Sequence, residues 1–124
     1  MSKNIGKTTW LIPDAFWPEK SNGCFPSHEA ICVLNTSKTD AQIELTLYFE
    51  DKSPMTGFKA KCFGERCNHI RLDKILDEHG RHIPTGVAYA ILLESSSNVV
   101  VQYSRMDTTQ AEMALMTAIA YSVE

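Results

Sequence analysis

This sequence has no block of basic residues and no long run of apolar ones. Its 124 residues carry a net charge of −3, which disfavours a protein that wraps a nucleic-acid backbone. The longest apolar run, VAYAILL at residues 87–93, is far too short to span a bilayer. Because the first ten residues also lack an apolar signal core, we expect a cytoplasmic protein.

The four cysteines and four histidines do not follow the spacing of a structural zinc site. Cys62, Cys67 and His69 bracket a four-residue turn, whereas zinc sites use two closely spaced ligand pairs, and the second pair is missing. Cys32 lies in an apolar segment, where a cysteine behaves as a small hydrophobic residue. We therefore predict that the protein binds no metal and that its thiols stay reduced in the cytoplasm.

Sequence motifs of the common enzyme classes are also missing. There is no nucleophile elbow, phosphate-binding loop or dinucleotide fingerprint. Ser27, His28 and Glu29 have the residue types of a catalytic triad, but neighbours on an extended chain point to alternate sides. The sequence thus predicts a protein that is not an enzyme and needs no cofactor.

The sequence does contain short segments with the alternation of β-strands. In residues 41–50, Ile43, Leu45, Leu47 and Phe49 fall on one face and polar residues on the other. Further strands are predicted at residues 8–12, 29–35, 57–62, 67–72, 87–95 and 98–105, separated by polar or Gly/Pro-containing turns at 36–40, 51–57, 63–66 and 95–98. The pattern predicts one domain over residues 1–124, an all-β antiparallel β-sandwich of about eight strands with one or two short helical turns.

Two segments are candidates for the helical turns. Residues 73–82 form the first, which would end at Gly80. Thr109 and Glu112 have the spacing of a capping box, and the apolar residues that follow lie near helical spacing. Residues 115–121 also alternate as a strand would, so we predict one helical turn followed by a strand.

Residues 87–95 are apolar on both faces. Tyr89, Ile91 and Leu93 lie opposite Ala90 and Leu92. Such a strand is expected to be covered on one side by a second sheet and on the other by another subunit.

A set of polar and aromatic residues remains as a candidate binding site. Gln102 and Arg105 lie on opposite faces of a strand that ends at Asp107. Each residue alone is as well explained by solvation or hydrogen bonding, but together they are able to line a polar ligand site. We also predict that Asp107 fixes the turn and orients Arg105. The polar set is His28, Glu29, Arg66, His69, Arg71, Gln102, Ser104, Arg105 and Asp107, with Trp10 and Tyr103 as candidate stacking surfaces.

Several of these segments together resemble the Anabaena sensory rhodopsin transducer family. The resemblance is carried by IGKTTWLIPDAFWP near the start, SHEAICVLN, LYFEDKSP, RCNHIRLD and, above all, QYSRMDTTQAEMALMTAIAY at the end. It implies a β-sandwich that assembles as a homotetramer and serves as the cytoplasmic partner of a membrane photoreceptor. It also implies that related domains bind small molecules such as sugar derivatives. The positions that match the family's motifs, and that the resemblance implies as binding residues, are Trp10, His28, Glu29, Arg66, His69, Arg71, Gln102, Arg105, Asp107 and Gln110.

These observations leave two principal hypotheses for the function. The first is a non-enzymatic signal-transducing module that couples a partner protein or ligand to a response. The second is a receptor for a small polar ligand, without a photoreceptor partner. An enzyme is the third and is disfavoured by the missing catalytic spacing.

Overall fold

The computed structural model describes residues 4–110 and 112–124. These residues form eight antiparallel strands: β1 (Lys7–Phe16), β2 (His28–Asn35), β3 (Ala41–Phe49), β4 (Met55–Cys62), β5 (Arg66–Arg71), β6 (Ala88–Asp107), β7 (Ala114–Ile119) and β8 (Tyr121–Val123). The predicted all-β antiparallel fold is confirmed. No helix among the described residues is long and apolar enough to cross a membrane.

The sandwich is organised around β6, a strand of 20 residues that belongs to both layers. Its first half pairs with β1 and β3, and this first sheet has the order β4-β3-β6-β1-β8. Its second half pairs with β2 and β7, so the second sheet has the order β5-β2-β6-β7. The chain returns to the first sheet at Ala120, whose N–H donates to the carbonyl of Val101 at 3.0 Å.

The core lies between the two sheets and follows the predicted alternation. Leu45 and Leu47 of β3 are fully buried, as are Ile31 and Val33 of β2. The first half of β6 contributes Ile91, while Leu92, on its outer face, is half-buried. The inner cover predicted for this strand is confirmed, and its cover by another subunit stays a prediction.

The predicted helical turn at residues 73–82 is wrong. Leu76 and His82 form a β-bridge there. The carboxylate of Asp77 accepts from the backbone N–H groups of His79 and Arg81 at 2.9 and 2.8 Å and from the Arg81 guanidinium at 2.7 Å. A side chain that bonds nearby backbone groups in this way competes with the helical hydrogen-bond ladder.

The end of the chain is a strand, as predicted for the residues after the second helical turn. Residues 114–119 pair with β6 from Gln102 to Asp107. The helical turn predicted for residues 109–112 includes Ala111, which lies outside the described residues.

Candidate functional site

A buried carboxylate joins the two sheets. Glu29 of β2 is 1% exposed. It accepts hydrogen bonds from the backbone N–H of Phe16 at 2.8 Å, from the hydroxyl of Tyr89 at 2.6 Å and from the hydroxyl of Tyr103. Burial of a carboxylate is costly unless such donors replace the water that it loses. Glu29 therefore holds β1, β2 and β6 together through polar contacts.

The two phenols that contact Glu29 remain hydrogen-bond donors throughout the neutral range. Burial raises the pKa of Tyr89, and the adjacent Glu29 carboxylate raises it further. The same two causes raise the pKa of Tyr103. Both hydroxyls thus keep their protons, as donation to a carboxylate requires.

Arg105 extends this network towards the surface. Its Nε donates to the hydroxyl of Tyr103 at 3.1 Å, and its Nη2 lies 3.7 Å from Oδ1 of Asp14. Burial works against the charge of Arg105, but the hydrogen bond to Tyr103 and the carboxylates of Glu29 and Asp14 outweigh it and raise the pKa of the guanidinium. Nη2 itself is buried and has no hydrogen-bond partner among the described residues. Arg105 is therefore oriented by Tyr103.

The predicted link between Asp107 and Arg105 is only half right. The Asp107 carboxylate accepts from the backbone N–H and the hydroxyl of Thr109 at 2.9 and 2.6 Å. These bonds lower the pKa of Asp107. Gln110 donates to the carbonyl of Asp107 at 3.1 Å. Asp107 thus fixes the turn as predicted, but it does not orient Arg105.

The other predicted residues do not join this network. Trp10 is buried and donates to the carbonyls of Lys7 and Val99 at 3.0 and 3.1 Å, a structural role. The remaining predicted residues lie on the outer face or at the ends of the second sheet, and they are His28, Arg66, His69, Arg71 and Gln102. Arg71 forms an ion pair with Asp73 at 2.8 Å.

Ser27, His28 and Glu29 do not form a triad. The Ser27 hydroxyl donates to the carbonyl of Lys20 at 3.0 Å and accepts from the backbone N–H of Thr108 at 2.9 Å. The His28 ring contacts the carbonyl of Pro26, and Glu29 points into the core. This arrangement anchors the loop before β2 and offers no activated nucleophile.

Asp14 and Tyr89 belong to the network but were not predicted from the sequence. Asp14 lies in a β-bulge of β1, where the pairing with β6 shifts between Ile12 and Ala15. Bulges re-aim side chains and are common beside functional sites. The Pro13-Asp14 pair is the sequence signal that indicates this bulge, because proline interrupts the hydrogen-bond ladder of a sheet.

No group of three His, Cys, Asp or Glu side chains is arranged to hold a metal ion within residues 4–110 and 112–124. Burial raises the pKa of Cys62, which makes it a poor ligand. The absence of a bound metal stays a prediction.

Two openings adjoin the bulge at Pro13 and Asp14. One is a cleft of about 300 Å³ between β1 and β7, with Tyr103 among the residues that line it. The other is a groove of about 350 Å³ on the outer face of the first sheet, lined in part by Tyr89. Tyr103 bonds Glu29, so the buried network adjoins the first opening.

Comparison with known proteins agrees with this fold. The family model Anabaena sensory rhodopsin transducer matches residues 5–122. The crystal structure of Thermotoga maritima 1070 is similar, with 35% identity, a TM-score of 0.83 and coverage of 94% of each chain. A structure of the Anabaena sensory rhodopsin transducer has 33% identity and a TM-score of 0.74, covering 88% of this chain and 96% of that one. Curated protein sequences gave no match. The chain belongs to the Anabaena sensory rhodopsin transducer family.

Proposed function

We propose that this protein is a non-enzymatic signal-transducing module of the cytoplasm that binds a partner protein through its C-terminal strands. Family membership supports the transducer role, and a membrane photoreceptor is the partner that it suggests. The surface of β7 and β8 supports the binding mode.

The exposed apolar surface of β7 and β8 is the observation that carries this proposal. All six residues of β7 are exposed, and they include neither a charge nor a proline. Leu115 and Ile119 are 70% and 67% exposed, and Tyr121 of β8 is 69% exposed. Natural edge strands are normally protected by charges, prolines or covering segments. A contiguous exposed apolar patch marks an interaction site.

We propose further that copies of the chain cover part of this surface in a homotetramer. β7 pairs with β6 on one side only within the described residues. Its other edge is able to pair with β7 of a second copy around a two-fold axis, and two such dimers complete a closed tetramer. The apolar surface that remains is then available to the partner protein.

Light scattering tests the assembly. We expect the measured mass of the wild-type protein to be about four times the chain mass of 13.9 kDa. Leu115→Lys places a charge on the exposed edge strand and is expected to give monomers, since an unpaired charge in an apolar interface is unfavourable. Gln42→Lys adds the same charge at an exposed position of β3 and should leave the tetramer intact. A monomeric wild type, or a Leu115→Lys tetramer, would contradict the proposal.

A second candidate function is the binding of a small polar ligand in the cleft beside Tyr103. The cleft is lined mainly by apolar side chains, including Leu11, Ile119 and Tyr121, and Asp14 contributes a carboxylate at its rim. A few polar groups in a mostly apolar cleft are typical of small-molecule sites.

A thermal-shift screen of sugars and nucleotides tests the second candidate. A ligand at about 100 times its Kd adds about 2.7 kcal/mol to stability, which raises the melting temperature by several degrees. Ala118→Leu narrows the cleft and should abolish the shift. Ala114→Leu changes an exposed position of the same strand outside the cleft and should preserve it. If no compound shifts the wild type, or both variants respond alike, the cleft is not the site.

A further inference from the structure

The groove on the outer face of the first sheet exists because β6 carries small residues there. Ala88 and Ala90 form its floor, and Ala90 pairs with Tyr48 of β3. Tyr48 and Glu50 form one wall, and the bulge that contains Asp14 forms the other. The result is a groove of about 350 Å³ with an aromatic ring and two carboxylates on its walls.

The groove is acidic. Asp14 and Glu50 line it, and Asp51 lines an adjoining depression of about 340 Å³ that shares Glu50 and Phe49. Among the residues that the structure describes, no lysine, arginine or histidine lines either opening. Neither Glu50 nor Asp51 forms an ion pair within the part of the chain that the structure describes. Both carboxylates are thus available to an external cation.

Lys52 follows Glu50 and Asp51 in the chain but lines neither opening. The Nζ atom of Lys52 is 4.4 Å from the centroid of the Phe49 ring, within the distance at which an ammonium is attracted to an aromatic face. This ring packs against the buried Tyr89 and the core, so Lys52 lies beside the groove and not within it. Its positive charge, one residue from Asp51, opposes the approach of an external cation.

We propose that this groove receives an arginine or lysine side chain from a basic segment of the partner protein. The inference rests on the proposed function, in which the chain binds a partner. Cytoplasmic loops of membrane proteins carry an excess of lysine and arginine, and the net charge of −3 on this chain attracts such a loop at long range. The apolar stem of the side chain lies on Ala88 and Ala90, and its charge reaches Asp14 and Glu50.

Titration with a short capped peptide of alternating arginine and alanine tests the inference at low and physiological salt. We expect amide NMR signals of the groove to shift and the Kd to rise with salt. Glu50→Gln combined with Asp51→Asn should weaken binding about tenfold, because two carboxylates lose their charge. Glu44→Gln combined with Glu94→Gln removes two exposed charges from the same sheet face and should weaken it less than about twofold.

A gain-of-affinity variant makes the test sharper. Lys52→Gln removes a positive charge beside Asp51 and should tighten peptide binding about threefold, whereas Lys59→Gln, on the same sheet outside the groove, should change it little. Equal effects of the groove and control variants would show only diffuse attraction and would overturn the inference, as would absent peptide binding. If free arginine amide binds as tightly as the peptide, the occupant is a small cation and the assignment to a partner segment is wrong.

The peptide-binding test of the groove and the assembly test of the C-terminal surface can fail independently of each other. Leu115→Lys lies outside the groove and should bind the peptide like the wild type. If Leu115→Lys leaves assembly unchanged while the groove variants lose the peptide, the C-terminal surface proposal fails and the groove stands. If Leu115→Lys dissociates the assembly while the peptide binds nowhere, the groove inference fails and the C-terminal surface stands.

Discussion

Glu29→Ala is expected to lower the free energy of unfolding by about 3–5 kcal/mol, the cost of breaking a buried charged network by removing one partner. The substitution leaves the Tyr89 hydroxyl, the Tyr103 hydroxyl and the Phe16 N–H without their acceptor. It also removes a carboxylate near the Arg105 guanidinium. A domain of this kind has only about 5–15 kcal/mol of stability, so the variant should be close to unfolding at physiological temperature.

Urea denaturation measures this loss. Glu29→Gln keeps one acceptor oxygen but replaces the other with an NH2 group, which donates and cannot accept, so it should recover only part of the loss. Glu44→Ala removes an exposed glutamate and should change stability by less than about 0.5 kcal/mol. If Glu29→Ala unfolds at the same urea concentration as Glu44→Ala, Glu29 does not hold the two sheets together.

Regular alternation made the strands predictable. Residues 41–50 alternate strictly, and β3 buries Ile43, Leu45 and Leu47 as the pattern requires. The pattern is reliable here because one face of β3 meets the core and the other does not. A one-residue shift would place every apolar side chain outside, so the sequence determines the orientation of this strand.

The path of β6 was not predictable from local sequence. Residues 95–98, SSSN, have the composition of a turn, and separate strands were therefore predicted before and after it. The chain instead continues extended through these residues from the first sheet into the second. Ser96 accepts from the backbone N–H of Gln42 at 2.8 Å, so a contact distant in the sequence replaces the turn. Turn composition is a local signal, and this outcome is decided by tertiary pairing.

The candidate site was predicted only in part for the same reason. Glu29 and Arg105 were identified, but the hydroxyls that bond Glu29 come from residues 60 and 74 positions away in the chain. Tyr89 appears in the sequence as an ordinary core aromatic. Asp14 lies in a bulge of β1, and its carboxylate is 3.7 Å from Arg105, a contact that the sequence spacing does not show. Sequence neighbours such as Arg105 and Asp107 were paired in the prediction because their spacing was visible, and the folded chain gave each another partner.

Arg105→Ala is the second substitution with a large expected effect, about 1–3 kcal/mol of lost stability, in the range for a removed partner of a buried polar group. The loss should be smaller than for Glu29→Ala because Glu29 keeps all three of its donors when Arg105 is absent. Tyr103 loses only the bond that its oxygen accepts from Nε. The ion pair with Asp14 adds little, since the Asp14 side chain is 90% exposed and 3.7 Å away.

Three further variants test separately the planar donor group of Arg105, its ion pair with Asp14 and the turn at Asp107. Arg105→Lys keeps the charge but not the planar donor group that bonds Tyr103, so it should recover only part of the loss. Asp14→Asn should change stability by less than about 0.5 kcal/mol, because an exposed ion pair contributes little. Asp107→Asn keeps an acceptor oxygen for Thr109 and should cost less than about 1 kcal/mol. These values are read from urea denaturation of the four variants.

A larger loss for Asp107→Asn than for Arg105→Ala would show that the turn, and not the Glu29–Tyr103–Arg105 network, holds the end of β6 in place. If instead Arg105→Ala unfolds like the wild type and also assembles and binds as it does, Arg105 is a surface residue without a structural or recognition role.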